Sequence, residues 1–336
     1  MKIAILTPTL HNYSGIDRVA ELQAQEYAKK NNQVTVFALD ATLNPKGFKL
    51  EILGMPRSLF LQRIYRLFFF LDIKKINNSV EKLKNFDIVI SHFYPMNWIA
   101  YKAKKRYNVK YIYYNHGIGY SFLFGNLFEK TYMKLFSFFN RLSLKNVDSA
   151  ISISKFMQKE LKKETGFDSK VVYNKIDKKK FRKNLDGSGI RISLGLKENE
   201  KILLFVGRLS PHKNVHTLLK IFETVNEKIS SAKLLIIGKP TFPLYFKKLK
   251  NSANKNVIFK DYVSDDELPY YYAASDVYVT TSLWEGFNLP AAEAQACGKK
   301  VVAFNLCSHP EIVKKGILVK KDDIEGFANA VINILK

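Results

Sequence analysis

The chain has 336 residues, of which 47% are hydrophobic, a size and apolar content that suit two buried cores better than one. Its formal net charge of +24 makes an acidic partner a fair expectation, with a merely lysine-rich composition as the alternative reading. Two cysteines, Cys297 and Cys307, have no paired spacing, which argues against a disulfide framework or a thiolate zinc site and leaves both as small core hydrophobes.

Taken in chain order, Ile3–Leu6 reads as a first strand cut short by Thr7 and Pro8. The run is too short for a signal peptide, so a cytoplasmic location is expected. Ser14 can cap a helix over Ile16–Lys30. Further strands are expected at Val34–Ala38, Ile88–Ser91, Tyr111–Tyr114, Ala150–Ser152 and Val171–Tyr173. A helix after Pro56 and others at Tyr94–Arg106 and Leu127–Leu144 fill the gaps. The second half repeats the alternation, with strands at Lys201–Val206, Lys233–Ile237, Val257–Phe259, Val277–Thr280 and Val301–Ala303. Its helices are expected to begin near Asn214, Phe242, Asp265, Pro290 and Asp323. The pattern predicts an α/β chain with two Rossmann-like, doubly wound parallel-sheet domains facing a cleft. The polar segment Asp177–Lys201 separates them, giving domains 1–180 and 181–336. No short internal repeat is present, which excludes solenoids, and no run approaches the ~20 apolar residues of a membrane span.

The stretch Glu285-Gly286-Phe287-Asn288-Leu289-Pro290-Ala291-Ala292-Glu293 follows the strand Val277–Thr280 and opens a helix. Pro290 suits the first helical turn and Gly298 its C-cap. It thus sets two carboxylates and free helix amides at the carboxyl edge of a parallel sheet, where such sheets bind ligands. Amides at a helix start favour phosphate, while glutamates accept from hydroxyls. Phosphate together with hydroxyls describes a nucleotide sugar. A second cluster, Phe205-Val206-Gly207-Arg208-Leu209-Ser210-Pro211-His212-Lys213-Asn214, places two cations after another strand.

The first motif resembles the E-x7-E signature of the retaining glycosyltransferases of family four, which have the GT-B fold. The second resembles their G-R-x4-K loop. The motifs stand in the family's order, and weaker similarity covers nearly the whole chain. The resemblance implies transfer of a sugar from a nucleotide-diphosphate sugar to a glycan or lipid-linked acceptor, with retained anomeric configuration. In that picture the departing phosphate takes the acceptor proton on the same face. Arg208 and Lys213 would face the diphosphate as charge develops on it, Arg as a two-pronged donor and Lys as a point charge. Glu285 would hold sugar hydroxyls and Glu293 the ribose. Gly207 and the amides of Phe287, Asn288 and Leu289 would complete the donor site. Gly15 matches a glycine-rich turn of the family, although Ile16 replaces its second glycine and Asp17-Arg18 stands where Glu-Arg is usual. His116 matches a position that contacts the donor sugar. His11 and His92 also follow expected strands and read either as site or as packing residues.

Other features carry plainer readings. Asn174-Lys175-Ile176-Asp177 resembles a linker motif, and Ser152 and Ser154 read as structural. Asp265-Asp266 and Asp322-Asp323 lie at expected helix starts, where the dipole explains them, so no metal site and no cofactor besides the donor are expected. Family members also carry a further helix after the one matching Asp323–Leu335, for which nothing here is a counterpart.

Pro56–Lys75 is aromatic and basic. On one helix Phe60, Ile64, Leu67 and Leu71 would share a face, with Arg63, Arg66 and Lys74 on another. This fits either an anionic bilayer or an ordinary buried face. Residues 1–180 hold 31 Lys and Arg against 14 Asp and Glu, while residues 181–336 hold 23 against 16, so the basic excess lies mainly in the first half. Two alternatives stay open: a basic membrane- or nucleic-acid-binding protein without catalysis, and a nucleotide-sugar epimerase of similar fold. No nucleic-acid motif is visible, so no nucleic-acid partner is expected.

Overall fold

The computed structural model describes residues 1–11, 15–117 and 127–336; Ser14, the expected helix cap, lies outside them. The chain divides into two compact units, Met1–Asn174 and Lys175–Lys336. The division falls inside the Asn174-Lys175-Ile176-Asp177 segment, and the polar stretch Asp177–Lys201 belongs to the second unit.

The first unit runs β1 (Lys2–Leu10), α1 (Gly15–Lys29), β2 (Gln33–Ala41), β3 (Lys49–Ile52), α2 (Leu59–Leu67), α3 (Ile73–Lys82), β4 (Ile88–Ser91), α4 (Asn97–Tyr107), β5 (Lys110–Asn115), α5 (Leu127–Ser143), β6 (Ser149–Ser152), α6 (Lys155–Thr165) and β7 (Lys170–Val171). The second runs α7 (Ser188–Ser193), β8 (Lys201–Val206), α8 (Val215–Lys228), β9 (Ala232–Ile237), α9 (Pro243–Ser252), β10 (Val257–Lys260), α10 (Leu268–Ala274), β11 (Val277–Thr280), α11 (Leu289–Ala296), β12 (Lys300–Phe304), α12 (His309–Ile312), β13 (Gly316–Val319) and α13 (Ile324–Leu335). Both sheets are parallel, ordered β3-β2-β1-β4-β5-β6-β7 and β10-β9-β8-β11-β12-β13. Each is a Rossmann-like sheet, and the pair is the GT-B class that the motifs imply.

Parallel strands covered on both faces must be apolar on both. Along β8, Leu203 and Phe205 enter one core with Val215, Leu218 and Phe327, whereas Ile202 and Leu204 enter the other with Tyr272, Tyr278 and Ala294. The period-two alternation therefore sorts one strand between two helical layers. Strand order reverses between β1 and β4 and between β8 and β11. Loops leaving the carboxyl ends of those strands diverge there and leave room for a ligand.

Three sequence expectations change. β1 continues through Thr7 and Pro8 to Leu10; its pairing with β4 ends at Leu6, so past that point only β2 runs beside it and the proline lacks a strand partner on the β4 side. β3 and β13 are additional edge strands of four residues each, too short to declare themselves, and β3 carries Lys49 and Glu51 besides. The single helix expected over Pro56–Lys75 is broken at Phe68 into α2, a 3-10 turn at Phe69–Leu71, and α3. Phe60, Ile64 and Leu67 keep one-face spacing along α2, yet only Leu67 is buried, and Leu71 stands exposed beyond the break, so the expected four-residue stripe does not form.

Candidate active site

The second unit gathers both cation and carboxylate motifs at its switch point. Gly207 directly follows β8, and its N–H donates to Ile237 O at 2.9 Å. The backbones are so close that a Cβ on Gly238 would lie 1.8 Å from the Gly207 carbonyl oxygen, so only glycine fits there. Pro211–Lys213 then forms a 3-10 turn, closed by Asn214 in the left-handed region at φ 56°, and α8 begins. The loop after β11 is tied to this turn twice. Thr281 Oγ1 donates to Asn214 O at 2.9 Å, and Leu283 N–H donates to His212 O at 2.8 Å.

These ties bring Lys213 Nζ to 2.6 Å from Glu285 Oε1. Glu285 is only 8% exposed. Burial would push its carboxyl up, but the Lys213 charge, with His309 and hydrogen bonds from Lys213 and Ser282, outweighs this and holds it below the ordinary range. His212, crowded by protein and by Lys213 and Arg208, falls to about 3 and is neutral. Arg208 is exposed to solvent. Surrounding protein lowers its pKa while Glu285 raises it, and a guanidinium so placed stays a cation.

Asn288 is the hinge of the carboxylate loop. It is left-handed at φ 67°, and its Oδ1 accepts from Ala291 N at 3.2 Å, capping α11. Its Nδ2 lies 2.9 Å from His309 Nε2, and His309 Nδ1 lies 2.8 Å from Phe304 O. A carbonyl can only accept, so the His309 proton is on Nδ1 and Nε2 accepts from Asn288. Ser308 Oγ donates to Glu285 O at 3.0 Å. The Ser308-His309 turn after β12 therefore braces the loop that carries Glu285. Sequence reasoning passed over these two residues, although their place one strand beyond the switch point was a usable signal.

Glu293 lies on α11, is 2% exposed, and accepts from Tyr272 Oη at 2.8 Å. Phe287 is buried, Leu289 half-buried. The structure thus joins Lys213 directly to Glu285 and puts Gly207, Arg208, Phe287, Asn288, Leu289 and Glu293 on elements around the same sheet edge.

In the first unit, Gly15 opens α1. Asp17 accepts from Thr9 Oγ1 at 3.0 Å and from His11 N–H at 2.9 Å, pinning the β1–α1 turn. His11 Nδ1 reaches Thr42 Oγ1 at 2.9 Å. His92 and His116 follow β4 and β5 and touch each other, with 2.8 Å between His92 Nδ1 and His116 Nε2. Ser152 contacts Ser169, and Ser154 caps α6. Asp266 pairs with Lys180 rather than opening a helix, since α10 starts at Leu268, while Asp323 caps α13. Among the described residues no group of three or more His, Cys, Asp or Glu could hold a metal ion, and no helix is long and apolar enough to cross a membrane.

This arrangement, cations and carboxylates at the reversal of a Rossmann-like sheet, belongs to the group 1 glycosyltransferases. Residues 13–180 match Glycosyltransferase Family 4 and residues 188–336 match Glycosyl transferases group 1; the chain is a member of this family. It is 33% identical over 174 residues to an uncharacterized glycosyltransferase of Methanocaldococcus jannaschii, 49% of this chain and 44% of the relative. It is 30% identical over 271 residues to an uncharacterized 41.2 kDa protein of the cps region of Klebsiella pneumoniae, 76% and 70% respectively. It is 29% identical over 173 residues to an Escherichia coli UDP-Gal:alpha-D-GlcNAc-diphosphoundecaprenol alpha-1,3-galactosyltransferase, 49% and 44%. The chain thus spans less than half the length of two of these three relatives. Among solved structures, Anabaena HepE in complex with UDP and glucose superposes with a TM-score of 0.79 at 20% identity, covering all of this chain and 89% of the other.

Proposed function

We propose that the protein transfers a hexosyl group from a nucleoside-diphosphate sugar to a glycan or lipid-linked acceptor with retention of configuration. The observation that carries this reading is the Lys213–Glu285 pair at 2.6 Å beside Arg208, a cation–carboxylate set suited to a diphosphate next to a polyol. Arg208 and Lys213 neutralise the leaving diphosphate; preorganised cations there replace a metal ion. Glu285 accepts from sugar hydroxyls, Glu293 from the ribose. Phe287, Asn288 and Leu289 offer backbone amides, Gly15 a close backbone approach, and His116 a contact to the sugar. An epimerase would need the same donor site, but the name of the galactosyltransferase relative, with its UDP donor and diphosphoundecaprenol acceptor, favours transfer. The test is turnover of a panel of nucleotide sugars followed by release of nucleoside diphosphate. Binding of none of them, at low or high salt, would remove the reading.

The acceptor side of the proposal is a lipid-linked saccharide at the cytoplasmic face of an anionic membrane. Arg63 locks α2 to α5 through Glu129, at 2.9 and 2.5 Å, and lies 4.7 Å from the Tyr132 ring centre. The joined helices expose Phe60 (61%) and Phe138 (57%), with the cations Lys134 and Arg141 exposed along α5, and the turn after α2 exposes Leu71 (66%) shortly before Lys74 at the start of α3. Apolar side chains ringed by cations are what a peripheral surface offers to anionic lipid.

A further inference from the structure

Gln23, His92 and His116 form a chain of three polar side chains in the first unit. Gln23 stands on α1, and the histidines follow adjacent strands. His92 Nε2 lies 2.8 Å from Gln23 Oε1, and His92 Nδ1 lies 2.8 Å from His116 Nε2. The two imidazoles are 25° from coplanar with centres 5.0 Å apart. With nitrogens at hydrogen-bond distance, that is the geometry of rings joined edge to edge. The Tyr114 ring lies 4.9 Å from the His92 ring and 12° from parallel, covering its face. His92 N–H also donates to Leu6 O at 2.9 Å, fixing its backbone to the sheet. His92 is fully buried and His116 8% exposed.

Burial, reinforced at His92 by its neighbour, lowers the basicity of both rings, His116 to about 3. Each ring is then neutral and divides one proton and one lone pair between its two nitrogens. An amide oxygen cannot donate. His92 must therefore donate from Nε2 to Gln23 and accept at Nδ1, so the His116 proton must be on Nε2. We infer that Gln23, acting through His92, fixes the tautomer of His116, with Nε2–H turned inward and the Nδ1 lone pair kept as an acceptor. Among the described residues Nδ1 has no protein partner, and it is not one of the buried unpaired atoms.

The functional side of the inference rests on the transferase reading. A lone pair at Nδ1 accepts from a donor-sugar hydroxyl, whereas the opposite tautomer would demand an acceptor from the sugar. The fixed tautomer thus selects a sugar with a hydroxyl at that position and disfavours one with a carboxylate there, since two acceptors would face each other. Gln23 and His92 are positioning residues; His116 is the group that meets the substrate.

The tautomer can be read without any substrate. The chain has six histidines, so long-range proton–nitrogen NMR of histidine-labelled protein above neutral pH is assignable with single His→Asn variants. Both His92 and His116 should show a protonated Nε2 and an unprotonated Nδ1. A proton on His116 Nδ1 overturns the inference. In Gln23→Met the acceptor is gone and the His116 signals should move toward a mixture; in Gln23→Glu they should not. An unchanged tautomer in Gln23→Met also overturns it. If Gln23→Met does not fold, the wild-type spectrum decides alone. In kinetics, Gln23→Met should raise the donor KM about fivefold with kcat little changed, the scale of one lost hydrogen bond, and Gln23→Glu should restore it. The predicted spectrum in a protein that turns over no nucleotide sugar would uphold the relay and count against the transferase reading.

Discussion

Lys213 and Glu285 hold each other at 2.6 Å with little solvent on either. Removing one member leaves the other buried and unpaired, which typically costs about 3–5 kcal/mol when burial is complete and less here, where Lys213 is half-buried. Lys213→Ala should therefore lower the melting temperature and cut turnover by about 10²-fold. Arg208→Ala, at an exposed position, should show a comparable kinetic loss with an almost unchanged melting temperature. Equal melting shifts in both variants, or near wild-type kinetics, would contradict these roles. Because the Glu285 pKa is lower folded than unfolded, its contribution to stability is present above the unfolded carboxyl value. It is lost as pH falls through the folded value. That acid limb should shrink in Glu285→Gln, as acid titrations of both proteins would reveal. At this scale the placement of Arg208, Lys213, Glu285 and Glu293 at the sheet edge was legible, because they stand at fixed spacing around strand ends. Tyr272 was not, since it reaches Glu293 across 21 residues only by folding; His309, which reaches Asn288 across the same span, offered only its place after β12.

Among the elements, the β8–β9 contact is the least forgiving. A methyl group on Gly238 would meet the Gly207 carbonyl at 1.8 Å, so Gly238→Ala must push two strands apart. The cost should be about 2 kcal/mol or more. Displacement of the Gly207–Lys213 loop should also weaken nucleoside diphosphate binding, which calorimetry would register. The alternating strands were readable because two-sided burial demands unbroken apolar runs. The break at Phe68 was not, since the sequence runs apolar from Leu67 to Leu71 and only packing turns one residue in and another out. The outward residues make a test. Phe60→Ser with Phe138→Ser should abolish salt-sensitive pelleting with anionic vesicles while leaving turnover of a water-soluble acceptor intact. Undiminished pelleting would show that α2 and α5 are not the contact.

At the scale of the whole chain, the two compact units divide the labour unevenly. All the residues proposed to hold the donor, except Gly15 and His116, lie within Lys175–Lys336. A fragment of residues 175–336 should fold cooperatively and bind a nucleoside diphosphate, with no transfer activity of its own. Failure to bind would mean that the first unit supplies more of the donor site than these residues do. Turnover by the full chain should also survive EDTA; loss of activity restored by magnesium or manganese would contradict the role given to Arg208 and Lys213. The doubly wound class was visible in the strand–helix alternation, whereas the point of division was not, because the polar stretch after Asp177 is held by contacts such as Arg191 to Ala274 O at 2.6 Å.

The Lys213–Glu285 contact also sets what this sheet edge will ignore. A lysine already in partnership with a carboxylate is not a bare cation, and an incoming anion must displace that carboxylate. Chloride or acetate, with one charge, merely exchanges one monovalent partner for another and abandons Glu285 in a poorly solvated place. A diphosphate ester brings several charges, can engage Arg208 and Lys213 together, and carries hydroxyls that give Glu285 new donors. The pair thus quenches itself against simple salts, and under the proposed transferase reading discrimination begins with the exchange of partners, ahead of the sugar.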